Sequence, residues 1–254
     1  MESRRSRRWG ALGRLGSLLG GVVLGFALLL SPLGAGEPAG ASGLIEEGPP
    51  LPPVIGKTDQ EIRESWGSPR YIKVAPHDGD RRYAYFTLRE WEQLGLLYPG
   101  SQGEDVYVAQ DMGLQVHLRY EPVFDARNRF SPVFRVTMVT YVFDEPTPLS
   151  RLGEVLPHGG DGPGLAEADW FRLLSGGGRT VLVHWPAYRH PAADRVVPFR
   201  ADPPVTLFWE VGLSVPAAAV DGDTPVNYVI EHLGQFRYGA EELQRIANPF
   251  ASGR

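Results

Sequence analysis

The chain has 254 residues, 43% of them hydrophobic and 22% charged, with 31 Gly, 23 Pro and no Cys. Lacking cysteine, it has no disulfide framework, thiolate metal centre, cysteine nucleophile or amino-terminal lipid anchor. The formal charge of −5 makes it a poor ligand for nucleic acid or anionic lipid, and nearly all its positive charge is Arg, with Lys57 and Lys73 the only lysines.

Five Arg fall in the first 14 residues, and Leu15 to Ala35 then run for 21 residues without a charge. A basic head before an apolar run is the pattern of an export signal or a membrane anchor. Ala39-Gly40-Ala41 supplies the small-x-small site a signal peptidase reads, giving a mature chain from Ser42. Gly20-Gly21 and Pro32 weaken a spanning helix, so residues 1–41 read as a signal peptide. The alternative is an uncleaved single-span anchor through residues 15–35. Ser6-Arg7-Arg8-Trp9 resembles a twin-arginine signal, but Gly10-Ala11 replaces the expected hydrophobic pair, leaving an ordinary basic head. Either way the body is extracytoplasmic, in the periplasm. Removing the five Arg and two Glu of residues 1–41 takes its charge from −5 to −8.

Half of the residues from Gly34 to Pro53 are Gly or Pro, so residues 42–54 read as an extended tether. At Thr58 a capping box with Glu61 opens a short helix, with Ile62 and Trp66 on one face, Gly67 as its stop and Pro69 beyond. Tyr71 to Val74 and Tyr83 to Thr87 read as strands, and Leu88 to Leu97 as a helix. Val106 to Ala109 and Leu114 to Tyr120 are further strands. In the latter, Leu114, Val116, Leu118 and Tyr120 alternate with Gln115, His117, Arg119 and Glu121, which makes one face dry and the other wet. Val133 to Phe143 is apolar on both faces towards its end and reads as a central strand, joined to its predecessor by a hairpin at residues 125–129.

Beyond the Gly/Pro-rich stretch His158 to Gly164, Thr180 to Trp185 and Val205 to Val211 read as strands. Ala166 to Leu174, Val226 to Leu233 (Thr224 as cap, Pro225 in first position) and Ala240 to Ala247 read as helices. The expected fold is therefore α+β, an antiparallel sheet with a few short helices. The expected divisions are a first module over 55–157 and a second α+β part over 158–254, either packed into the same domain or separate from it. Ile62, Trp66, Arg70 and Ile72 can be laid over Trp170, Leu174, Arg179 and Val181 as an internal repeat, a match that any capped helix leading into a strand would produce.

The segment Ile55-Gly56-Lys57-Thr58-Asp59-Gln60-Glu61-Ile62-Arg63-Glu64-Ser65-Trp66-Gly67-Ser68-Pro69 resembles the opening of the SmpA/OmlA family, to which the BamE component of the outer-membrane barrel-assembly machine belongs. The resemblance spans roughly residues 55–86. It implies a small helix-plus-sheet module in the cell envelope that binds other proteins and performs no catalysis. That family's scaffolding members are lipoproteins, and this chain has no cysteine to carry the lipid.

No motif for a metal or cofactor emerges. His184, His190 and Asp194 are separated by Pro186 and Pro191, which place them on a loop. Asp78-Gly79-Asp80 and Asp221-Gly222-Asp223 lack the other ligands of a calcium loop and read as turns. Ser175-Gly176-Gly177-Gly178 follows an expected helix, where neither a nucleophile elbow nor a phosphate loop would sit. No catalytic residue is assigned. The leading expectation is a non-catalytic envelope protein that contacts other envelope proteins through Trp66, Tyr71 and Trp91. Trp66 fits the core equally well, four residues from Ile62. The rival is a periplasmic enzyme or small-anion binder using the wet face at His117, Arg119, Glu121 and Arg135.

Overall fold

In a computed structural model the chain is described over residues 43–46, 48–75, 82–95, 103–125, 128–157, 163–196 and 205–251. The export segment, residues 1–41, and the Asp78–Asp80 turn lie outside these. The first helix, α1 (Asp59–Trp66), is set by local chemistry alone. Thr58 Oγ1 accepts from the Glu61 amide at 3.2 Å, the Glu61 carboxylate accepts from the Thr58 amide at 2.7 Å, and Gly67 ends the helix at φ 72°. A second capping box, Thr87 with Glu90, starts α2 (Leu88–Gln93).

Ten strands make one antiparallel sheet: β1 (Tyr71–Val74), β2 (Ala84–Phe86), β3 (Gly103–Ala109), β4 (Leu114–Asp125), β5 (Asn128–Pro148), β6 (Asp169–Leu173), β7 (Thr180–Trp185), β8 (Val205–Leu213), β9 (Pro225–Gln235) and β10 (Leu243–Arg245). Their order is β10-β6-β7-β8-β9-β5-β4-β3-β1-β2. The sheet corrects the α+β expectation and the helix-plus-sheet, BamE-like module with it. The longest helix among the described residues has 8 residues, whereas β5 alone has 21. This is a β-rich fold with short helical connections.

Three expected helices are strands. Val226 to Leu233 lies in β9, where Val229, Glu231 and Leu233 face the core. A carboxylate on the core face breaks the two-residue alternation, so the remaining apolar positions fall at helical spacing. Ala166 to Leu174 divides into a single 3-10 turn and β6, and Ala240 to Ala247 contains β10. In both, pairing with a distant strand overrides a helix-forming composition.

The sheet is two five-stranded halves joined along β5 and β9, which pair from Met138↔His232 to Val142↔Tyr228. Outward from the join the strands run β4, β3, β1, β2 on one side and β8, β7, β6, β10 on the other. The second half is a four-strand meander, β6 to β9, with β10 added outside it, whereas in the first half only β3 to β5 form a meander and the β1–β2 hairpin is added beyond β3. The halves correspond in sheet position, β1 to β6, and not in connectivity. The sequence overlay had matched Ile72 to Val181 of β7.

One side of the sheet is the core. Tyr107, Leu114, Val116, Leu118, Val139, Tyr141, Val183, Trp185, Trp209, Val211 and Val229 form it together with Ile62 and Trp66 of α1. The expected tether is part of this layer. Ile45, Leu51 and Val54 are buried, the amide of Ile45 donates to the carbonyl of Val108, and that of Gly56 donates to the carbonyl of Val136. Gly43 is required where this segment begins: its φ is 63°, and a Cβ there would lie 2.3 Å from the Arg70 amide nitrogen. Among the described residues no helix is long and apolar enough to cross a membrane.

Candidate functional site

The other side of the sheet carries the polar chemistry. Alternation along β4 turns His117 and Arg119 to this side, and the register sets Arg119 opposite Glu104 and Glu104 opposite Lys73. Lys73 Nζ then lies 3.1 Å from Glu104 Oε2 and 3.2 Å from His117 Nδ1, and 4.4 Å from the centre of the Tyr83 ring. His117 Nδ1 thus faces both the Lys73 ammonium and, at 3.7 Å, the Glu104 carboxylate. Nε2 is buried with no hydrogen-bond partner. Burial opposes ionisation of Glu104, but the imidazole at 3.7 Å and then the Lys73 charge outweigh it and hold the carboxyl below its ordinary range.

Three tyrosines flank this cluster, with Tyr71 37%, Tyr83 52% and Tyr85 54% exposed. Tyr71 and Tyr85 meet edge to face at 6.4 Å, and the Arg70 guanidinium lies 5.7 Å from the Tyr71 ring centre. Arg119 is exposed.

On the same side of the other half, a second carboxylate and histidine come together under cover. Glu210 of β8 is 3.4 Å from His232 of β9 and accepts a 2.6 Å hydrogen bond from Tyr238 Oη. His232, and then the tyrosine hydroxyl, hold Glu210 below its ordinary range against burial. The Phe208 ring stacks on His232 at 4.6 Å, and Phe236 stacks on His184 at 4.0 Å.

A third polar feature lies on the core side. Glu231 is 5% exposed, accepts from Tyr141 Oη at 3.0 Å, and borders a cavity of about 20 Å³, room for one water, with Tyr188 and His190. Burial pushes its carboxyl up to about 7, against the hydrogen bonds from Tyr141 and Trp209. Burial also lowers the pKa of His190, whose Nδ1 accepts from the Ala192 amide.

The residues expected to act together are dispersed. Glu121 and Arg135 are register partners, but β4 and β5 shift register between Arg119 and Tyr120. Beyond that bulge Arg135 donates to the Gly56 carbonyl at 2.8 Å and stands 3.9 Å from the Glu61 carboxylate. His117, Arg119 and Arg135 therefore do not converge, and Glu121 is exposed beyond the bulge. Trp66 is buried edge-on against Tyr107 at 5.4 Å, and Trp91 is buried against Phe86 at 5.9 Å, so of the three expected anchors Tyr71 alone reaches the surface.

Asp194 pairs with Arg189 at 2.8 Å, Thr224 closes the Asp221 turn, and among the described residues no three His, Asp or Glu are grouped to hold a metal. Lys73 carried a faint signal in the sequence. It is one of two lysines in the chain, and its compact ammonium reaches two partners at once, Glu104 and His117.

No protein-family model, curated protein or solved structure matches the chain. What this surface does therefore rests on its own geometry.

Proposed function

We propose that this is an exported cell-envelope protein that acts without catalysis, by holding a partner protein on the open side of β1–β4. The observation that carries this reading is the contiguous set Tyr71, Tyr83 and Tyr85, each more than a third exposed, beside an exposed Arg119. Tyrosine and arginine anchor protein interfaces, tyrosine because it gives large contact area with two rotatable bonds and a polar tip, arginine because its planar guanidinium stacks on rings and offers five donors. A solvated sheet face with no partner would carry such rings singly. The SmpA/OmlA resemblance contributes the envelope setting alone.

The His117 acid–base reading is not favoured by this geometry. Lys73 occupies Nδ1, Nε2 is enclosed, and Arg135 serves the Gly56 carbonyl. Affinity capture from solubilised envelope, comparing the wild-type chain with a Tyr83→Ala/Tyr85→Ala variant, tests the proposal. A partner recovered with the wild type and lost with the variant is expected. Equal recovery by both chains sinks it.

A further inference from the structure

The covered half of the sheet shows in cis how a peptide sits on this side of it. After β9 the chain leaves as residues 236–242, irregular to Gly239 and then turning through residues 240–242, and crosses the strands before β10 pairs with the edge of β6. Phe236 lies flat on His184 of β7 and edge-on to Phe208 of β8 at 5.4 Å. Tyr238 donates to Glu210 of β8, and the Glu242 carbonyl receives the Leu174 amide at 2.9 Å. The grip thus combines aromatic rings stacked on the sheet with a hydroxyl on a carboxylate that is itself paired to a histidine.

The open half offers the same kinds of partner: the carboxylate of Glu104 beside His117, and three exposed rings in place of Phe208 and His184. Two things differ. No segment among the described residues makes a corresponding set of contacts with it. The second is a pair of exposed cations: Lys73 is matched by Glu104, which leaves Arg119 and Arg70 exposed and without an ion-pair partner among the described residues, on a chain whose formal charge is −5. A cationic, ring-bearing face on an acidic molecule complements an acidic, ring-bearing occupant.

Resting on the reading of this face as a protein-binding surface, we propose that its occupant is an extended segment of the partner protein carrying aromatic and acidic side chains. The segment lies across β4, β3 and β1 as residues 236–242 lie across β8, β7 and β6. Its rings settle among Tyr71, Tyr83 and Tyr85, and its carboxylates face Arg119 and Arg70. A partner strand added to the edge of β2 would make backbone contacts without regard to this charge pattern.

Two measurements on the full chain test this. In the first, a fluorescent octapeptide alternating glutamate with tyrosine and phenylalanine is titrated by anisotropy against a peptide with lysine in place of glutamate. The acidic peptide is expected to bind on the order of tenfold more tightly, with the preference abolished or reversed in Arg119→Glu. Equal affinities, a preference for the basic peptide, or no binding of either overturns the occupant's chemistry. In the second, benzoylphenylalanine replaces Tyr85 in cells, with the same replacement at Leu174 as control, and the cross-linked peptide is sequenced. An adduct at position 85 on an acidic, aromatic segment supports the proposal. An adduct on a segment of different chemistry overturns the proposal and leaves the binding face standing. No adduct, or the same adduct from both positions, overturns both.

Discussion

The two halves of the sheet solve one problem in opposite ways. Each sets a glutamate beside a histidine on the side away from the core, Glu104 with His117 and Glu210 with His232. A half-buried carboxylate must be given a donor or it carries its full desolvation cost. In the second half the donor is Tyr238, delivered by a segment that also buries Phe208. In the first half it is Lys73, delivered from the neighbouring strand, and the rings around it remain in water. The difference separates a surface covered by its own chain from one whose glutamate is satisfied while the aromatic rings beside it stay in water.

The contrast breaks most visibly at the rings. Phe208 is 6% exposed and touches His232, Phe236 and Tyr238. Truncation to alanine is expected to cost about 3–5 kcal/mol in urea unfolding. A cost below about 1 kcal/mol would mean that the segment over it is not packed.

The carboxylates divide by sign. Glu231 has its folded pKa raised to about 7, so the folded state keeps a proton that the unfolded state releases. Its contribution is complete below the ordinary glutamate value of roughly 4.5 and is lost as pH rises to about 7, a change on the order of 1–3 kcal/mol. Facing it are Tyr141 on β5, Trp209 on β8, and Tyr188 and His190 on the loop after β7. The neutral state of His190 near pH 7 does nothing to offset the new charge. Glu104 and Glu210 are lowered, so their contribution is present above the ordinary glutamate range and disappears as pH falls through their folded values. On the acid side stability should therefore fall with Glu104 and Glu210. On the alkaline side, from about pH 4.5 to 7, Glu231 should lower it against an opposing gain from His184 and His190, whose lowered folded pKa values contribute stability that is lost as pH falls. Glu231→Gln should remove the alkaline loss alone, leaving that gain. An unchanged alkaline slope would remove Glu231 as its cause.

The donors come next in size. Tyr238→Phe and Lys73→Met each withdraw a donor from a paired glutamate, and each is expected to cost about 1–2 kcal/mol. The two should differ in character. Loss of the hydroxyl should increase amide exchange in residues 236–242, because it ties that segment to β8. Loss of Lys73 should leave exchange there unchanged.

What was legible in the sequence was local. The Thr58 box, Gly67 and the alternation of Leu114 to Tyr120 are fixed by neighbours within a few residues, and α1 and β4 follow from them. His117 and Arg119 could be placed on the wet side for the same reason. Glu104 and Lys73 could not be joined to them, because that requires the registers of β1 on β3 and of β3 on β4, which no short window contains. Arg135 does stand opposite Glu121, but that its guanidinium serves the Gly56 carbonyl depends on a contact 79 residues away, which no short window contains. β9 was misread because Glu231 stands where an apolar residue would have shown the strand, and β6 and β10 because their partners, not their composition, make them strands.

The smallest expected effect sharpens the comparison most. Tyr85 is 54% exposed and its one ring contact among the described residues is with Tyr71, itself at the surface. Tyr85→Ala should therefore change unfolding free energy by less than about 0.5 kcal/mol, the range of ordinary surface substitutions. The same replacement should weaken any genuine partner of this face about tenfold or more, as loss of an interface tyrosine does. The expected pattern is thus Phe208→Ala destabilising with partner affinity per folded molecule unchanged, and Tyr85→Ala neutral for folding with affinity reduced. A cost above about 1 kcal/mol at Tyr85 would show that its ring stabilises the β1–β2 edge. The two halves would then differ in degree of burial, and the distinction between a covered surface and an open one would fail.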